Sequence, residues 1–143
     1  MKSMIVQLAT AFLASYGFSM LFGLRRRFLL PAALGGLLCW GVYLGMDAWL
    51  HREFLSCLMA SSFAVVYAEL LARRLKTPAT LFVVPSILPL VPGGSLYYTM
   101  ENIVHGRMEA ARSFGQQTLI AALAIAAGIS FVVALREIQT RKQ

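Results

Sequence analysis

Charge is what this sequence has least of. Asp, Glu, Lys and Arg make up only 13% of its 143 residues, about half of what a water-soluble domain needs to cover its surface, and the mean hydropathy is +0.70. A soluble globular domain is not built this way. Cysteine is nearly absent too: Cys39 and Cys57 stand inside apolar segments with no CxxC or His/Cys spacing, which excludes a disulfide framework or a zinc site and leaves two small buried hydrophobes. Missing altogether are a Walker-type phosphate loop, a nucleophile–base arrangement and a metal-ligand constellation, so neither an enzyme nor an ATP-driven pump finds support and no cofactor or metal is expected. Acidic residues number six against thirteen basic ones. That excess suits nucleic acid in principle, but the polar stretches are too short to form a recognition surface, and no nucleic-acid partner is expected.

What the sequence does have is long apolar blocks bounded by short charged clusters. Blocks over residues 4–24, 28–46, 54–72, 78–100 and 118–135 each approach the roughly 20 residues that a ~30 Å hydrocarbon core requires. The first is longer than a signal-peptide core and carries its arginines at the wrong end for one, so it reads as an uncleaved span. The expectation is an all-α polytopic membrane protein of about five transmembrane helices in a single domain over residues 1–143, with the lipid bilayer as its solvent. Cations set the orientation, because Lys- and Arg-rich segments stay cytoplasmic. Three follow the first block (Arg25, Arg26, Arg27), three the third (Arg73, Arg74, Lys76) and three the fifth (Arg136, Arg141, Lys142), whereas the N-terminus, the 47–53 loop and the 101–117 segment hold one, one and two. The alternation predicts an outside N-terminus and a cytoplasmic C-terminus. With an odd number of spans, two such units joined in tandem would face opposite ways, the inverted-repeat plan of many secondary transporters. No internal repeat is evident, so a second unit would be a separate polypeptide or another copy.

Small residues recur four apart at Ala32 and Gly36, Gly41 and Gly45, Ala122 and Ala126, and Ala124 and Gly128, which lets helix backbones approach closely in lipid. These faces serve either packing within the chain or, most readily on the fifth block, docking of a partner subunit.

The fourth block departs from a plain helix. Pro85, Pro89 and Pro92 each delete a backbone donor, and Gly93 and Gly94 follow at once, so a continuous helix through position 93 is costly and a break is predicted there. Broken backbone at membrane depth survives only where it is buried in protein or lines a water-filled cavity. A helix restarting near Gly94 leaves the amides of about Gly94 to Tyr97 without helical partners and points a positive dipole end outward, a combination that binds a carboxylate. Ser95, Tyr97, Tyr98 and Thr99 can add hydrogen bonds. Pro92, Gly93, Gly94, Ser95, Tyr97, Tyr98 and Thr99 are therefore the expected substrate-binding residues, with Pro85, Pro89 and Pro92 setting the break; the competing reading is a kinked or re-entrant segment that only shapes the fold.

Glu69 is the one acid inside an apolar block. It reads either as a proton-coupling carboxylate or as the partner of Arg73 one helical turn on. Leading into and through 101–117, Leu96, Met100, Ile103 or Val104 and Met108 recur at helical spacing beside Glu101, His105, Arg107, Glu109 and Arg112. That pattern predicts an amphipathic continuation of the fourth helix along the outer interface. Arg107 and Arg112 offer an anion-attracting vestibule as the alternative to a solvated face.

The run Pro85-x-x-x-Pro89-x-x-Pro92-Gly93-x-x-x-Tyr97, followed by Tyr98, Thr99 and Met100, resembles the signature of the threonine/serine exporter (ThrE) family. Phe18-x-Met20-x-Phe22 before the arginines, the basic clusters after the first and third blocks, and the overall length are similar to its small, YjjB-type subunit. The resemblance implies the C-terminal half of a split secondary exporter in the bacterial inner membrane. Its partner would be a larger YjjP-type membrane subunit, and its substrate a small carboxylate or amino acid of the succinate or threonine/serine class. It supplies no ligand residue to carry over. A non-transporting assembly or regulatory subunit and a homo-oligomeric channel stand as alternatives.

Overall fold

A computed structural model describes the backbone of residues 2–140 and the side chains of residues 3–138. It contains six α-helices and, among the described residues, no strand: α1 Lys2–Leu21, α2 Arg26–Leu50, α3 Glu53–Leu75, α4 Thr80–Ile87, α5 Gly93–Val104 and α6 Met108–Thr140, with a 3-10 turn at Leu88–Leu90 after α4. Four helices are long and apolar enough to cross a membrane, and α4 with its 3-10 turn and α5, bent by 52°, makes a fifth when taken as one span. The protein is thus an all-α polytopic membrane protein.

Each helix ends where the sequence supplies a stop. Gly23 (φ +68) closes α1, with Leu24 N–H reaching back to Ser19 O at 3.1 Å, and Gly106 (φ +69) closes α5, with Arg107 N–H on Asn102 O at 2.9 Å. Both are left-handed caps that glycine adopts without a Cβ penalty. His51 and Lys76 do the same for α2 and α3 at φ 48 and φ 51. The cap at Gly106 corrects one expectation. The 101–117 segment is not an amphipathic extension of the fourth helix; the chain reverses there, and the fifth span begins at Met108 rather than near Thr118. The helical face of 108–118 packs on α5, with Tyr98 against Phe114 at 5.3 Å between ring centroids and Thr99 beside Gly115.

Helices α1, α2 and α3 run antiparallel in sequence order. Ser15 faces Gly36, Cys39 Sγ donates to Ala60 O at 3.4 Å, and Tyr67 Oη donates to Pro31 O at 2.9 Å. Helix α6 runs parallel to α3, since Ser62 Oγ donates to Gly128 O at 3.3 Å and Arg136 meets Glu69 at 3.0 Å. In that register Glu53 is level with about residue 119 of α6, and residues 108–118 extend past the start of α3. Leu24, Phe28, Ala72, Leu75, Ala79 and Phe82 share one apolar cluster. The cations Arg25 to Arg27, Arg73, Arg74, Lys76 and Arg136 therefore gather at one end of the bundle, while Asp47, His51, Arg52 and Glu53 lie at the other. Arg141 and Lys142 fall outside the described residues.

In lipid there is little hydrophobic drive between helices, so contact depends on close backbone approach. Ala32, Ala33, Ala60, Ala64, Ala68 and Ala124 are fully buried. Ala32, Gly36, Ala124 and Gly128 thus serve packing within the chain, whereas Gly45, Ala122 and Ala126 face outward. At Gly128 a Cβ would lie 2.7 Å from Leu58 O and would collide with Ser61 Oγ, whereas at Gly45 it would meet nothing within 4 Å. Gly128→Leu should weaken the fold by about 1–3 kcal/mol, read as a lower unfolding midpoint in mixed micelles, and Gly45→Leu should leave that midpoint unchanged.

Candidate functional site

The break forms because three prolines remove donors in succession. Helix α4 tolerates Pro85 near its end, tightens into the 3-10 turn at Leu88–Leu90, and terminates when Val91 turns extended (φ −60, ψ 124). Val91 N–H bonds Leu88 O at 3.1 Å, the acceptor that Pro92 cannot use, and Gly93 N–H closes a tight turn onto Val91 O at 2.7 Å. The predicted interruption therefore lies at Val91–Pro92, and α5 restarts at Gly93.

Its depth follows from packing. Ile87 and Leu90 belong to the apolar cluster that holds Cys39, Trp40, Cys57, Ala60 and Ala124. Trp40 stands about 20 Å along α2 from Arg26 at the helical rise, which puts the break well inside a ~30 Å hydrocarbon core. Beyond it α5 packs chiefly on α6 and diverges from the rest of the bundle.

The restarting helix leaves fewer open amides than its sequence implies. Leu96 N–H bonds Pro92 O at 3.1 Å, and Tyr97 lies a full turn inside α5, where Gly93 O is its helical acceptor. Gly94 and Ser95 retain N–H groups with no acceptor among the described residues. The hydroxyls bond locally, Ser95 Oγ to Pro92 O at 3.2 Å and Thr99 Oγ1 to Ser95 O at 2.7 Å, and each keeps lone pairs able to accept. Gly93 and Gly94 face open space, with nothing within 4 Å of where a Cβ would stand. Tyr98 leans on Phe114, while Tyr97 points outward and is 65% exposed. Pro92, Gly93, Gly94, Ser95, Tyr97, Tyr98 and Thr99 thus form one turn and one helix start. Pro85 is buried below them and Pro89 half-buried beside them.

A cavity of about 230 Å³ abuts the break, lined by Pro89, by Trp40 of α2 and by Gln7, Thr10, Ala11 and Ala14 of α1. Reading α1 as a plain apolar span misses Gln7 and Thr10. Their signal is two polar residues three apart, one helical face of an otherwise apolar block. Ser15 of α1 and Ser86 of α4 are fully buried and their hydroxyls have no partner, and both abut the Gly35–Gly36 step of α2. Pro85 O approaches the same step, 3.4 Å from where a Gly36 Cβ would stand, and Pro89 has no N–H to give it. The glycine pair is the sequence trace of that close approach.

Glu69 forms its ion pair with Arg136 of α6, Nη1 to Oε1 3.0 Å, rather than within α3 with Arg73. The carboxylate side chain is only 13% exposed. Cys39 and Cys57 are buried and unlinked, and no group of three or more His, Cys, Asp or Glu among the described residues could hold a metal. At the far end His105 Nδ1 lies 2.8 Å from Glu101 O. Arg112 lines a groove of about 400 Å³ between α5 and α6 that includes Leu96 and Thr99, while Arg107 is not part of it.

No characterised protein and no solved structure matches this chain. The model of one family, described as Threonine/Serine exporter, ThrE, matches residues 7–135. A family match over nearly the whole chain, on a bundle whose fourth span breaks at the proline–glycine run, is decisive: the protein belongs to the threonine/serine exporter family of membrane transporters.

Proposed function

We infer that this chain is one membrane subunit of a secondary exporter that moves small carboxylates or amino acids, of the succinate or threonine/serine class, out of the cell. The observation that carries the reading is the break at Val91–Pro92. It lies at membrane depth and begins α5 at Gly93 and Gly94, which face open space, with the Gly94 and Ser95 N–H groups lacking an acceptor among the described residues. Backbone amides at a helix start are a carboxylate receptor, and such a receptor is tolerated in a membrane only beside protein or water. The 230 Å³ cavity next to it supplies Gln7 and Thr10 as further hydrogen-bonding groups.

The outward-facing break also supports a second subunit. A larger YjjP-type chain of opposite orientation would cover Gly93, Gly94 and Tyr97 and complete the path, and five spans per unit suit an inverted pair. The end gathering the arginines is cytoplasmic on this reading, with the N-terminus outside and the C-terminus inside a bacterial inner membrane. Glu69, an acid within α3 that is paired across the α3–α6 seam, is the carboxylate proposed to carry the coupling proton, with Arg136 as its alternate partner.

Three outcomes follow. A fluorescent protein fused at the C-terminus should light up inside the cell, and an export-dependent reporter placed after Arg52 should be active outside. Gly94→Leu, whose added side chain meets no atom within 4 Å of its Cβ, should insert and fold normally yet lower counterflow of succinate, threonine and serine by about tenfold or more, the loss of one charge-assisted contact set, in vesicles holding both subunits. Normal counterflow in that variant would remove the break from the substrate path. Glu69→Gln should retain counterflow but lose uptake driven by a pH gradient. Transport by the larger chain alone would favour the assembly-subunit reading, and uncoupled flux through this chain alone would favour a channel.

A further inference from the structure

Two cavities on the α3–α6 seam adjoin at Glu69, Arg73 and Arg136, and their chemistries differ. The one at the basic end, about 370 Å³, is lined by Arg73 and Lys76 from the end of α3, by Thr77 and Ala79 of the following turn, and by Glu69 and Arg136. The other, about 540 Å³, shares Glu69, Arg73 and Arg136 and continues between the two helices over Met59, Phe63, Val66, Phe131, Val132 and Leu135. Cations cap an apolar groove.

Each part has a local cause. Lys76 takes the left-handed cap of α3 at φ 51, which turns the chain so that Thr77 and Ala79 close the head of the pocket. Thr77 Oγ1 is shut off from solvent and has no hydrogen-bond partner, and Ala79 N–H takes no acceptor among the described residues. Three cations against one carboxylate leave the head pocket positive, and Glu69 already engages Arg136. Below, Met59 to Arg73 spans about 20 Å along α3 at the helical rise, running from the bundle's basic end toward the depth of the break.

We propose that the α3–α6 seam is a binding site for one anionic phospholipid. Its phosphodiester sits against Arg73, Lys76 and Arg136, with the Ala79 amide as a neutral donor, and one acyl chain lies in the groove over Phe63, Val66 and Phe131. The occupant is fixed by combination: a free oxyanion would leave the apolar groove unfilled, and a zwitterionic lipid would bring its own ammonium into a pocket where Arg73, Lys76 and Arg136 already outnumber Glu69. Basic pockets between helices at a membrane face recognise lipid headgroups by this electrostatic rule. Glu69 competes intramolecularly for Arg136, so lipid binding and the Glu69–Arg136 pair are antagonistic. The inference rests on the membrane fold and the seam geometry, independent of what the exporter carries.

The test uses the full chain in neutral-detergent micelles titrated with phosphatidylglycerol or phosphatidylcholine and read by native mass spectrometry. One phosphatidylglycerol should be retained in preference to phosphatidylcholine. Arg73→Gln with Lys76→Gln should weaken that retention by about 30-fold, near the value of two interfacial cations, while Glu69→Gln should strengthen it severalfold. Phe131→Trp should be quenched more strongly by chain-brominated phosphatidylglycerol than by chain-brominated phosphatidylcholine, a reading made on the folded, monodisperse fraction. Equal retention of the two lipids, or an unchanged or weaker affinity in Glu69→Gln, would overturn the proposal. Displacement of phosphatidylglycerol by millimolar inorganic phosphate alone would overturn the acyl-chain part of it.

Discussion

In hydrocarbon an unpaired amide or carbonyl has no water to turn to, and each one costs several kcal/mol. The rest of this structure depends on that constraint. Helices α1, α2, α3 and α6 are long and apolar enough to meet it largely within themselves, whereas the fourth span departs from it over residues 85–92, where prolines at 85, 89 and 92 remove donors in turn and the helix breaks at Val91–Pro92. The damage is contained by local repair: a 3-10 turn, a tight turn at Gly93 and hydroxyls of Ser95 and Thr99 bonded to the nearest carbonyls. What repair leaves over are the Gly94 and Ser95 N–H groups, which have no acceptor among the described residues.

The bundle around the break is held by close approach rather than by large side chains. Fully buried alanines, the Gly35–Gly36 step against Ser15 and Ser86, and Gly128 against Leu58 O let α1, α2, α3, α4 and α6 pack backbone to backbone. The parallel α3–α6 seam then carries three things together: the Ser62–Gly128 contact, the Glu69–Arg136 pair and the groove beneath it. Anything that alters the charge of Glu69 acts on that seam, which joins the basic end to the helix that carries α5.

Much of this was legible in the sequence because hydrophobic block length and proline chemistry are local. The five spans, the interrupted fourth and the clustering of Arg25 to Arg27 with Arg73, Arg74 and Lys76 need no tertiary knowledge. The errors arose where a long-range contact overrode a local pattern. Residues 101–117 have helical periodicity throughout, yet Gly106 in the left-handed conformation folds them into a hairpin. Glu69 has an arginine one turn away, yet a parallel neighbouring helix brings Arg136 closer. Gln7 and Thr10 looked incidental on α1 until Trp40 and Pro89 closed a cavity around them. Ser15 and Ser86 could have been read only by pairing them with Gly35 and Gly36, residues that no local pattern connects.

The proposed second chain rests on the odd number of spans and the exposed helix start at Gly93 and Gly94, and the proposed lipid site rests on the cationic end of the α3–α6 seam. The central claim is that the Val91–Pro92 break opens a hydrated path at membrane depth. It is tested most directly by introducing Gly94→Cys into a chain carrying Cys39→Ala and Cys57→Ala, assembled with its partner in vesicles, and measuring its reaction with a membrane-impermeant maleimide. The account predicts labelling that small carboxylates slow in proportion to their occupancy. Labelling only by a lipid-soluble reagent, unaffected by any carboxylate, would contradict it.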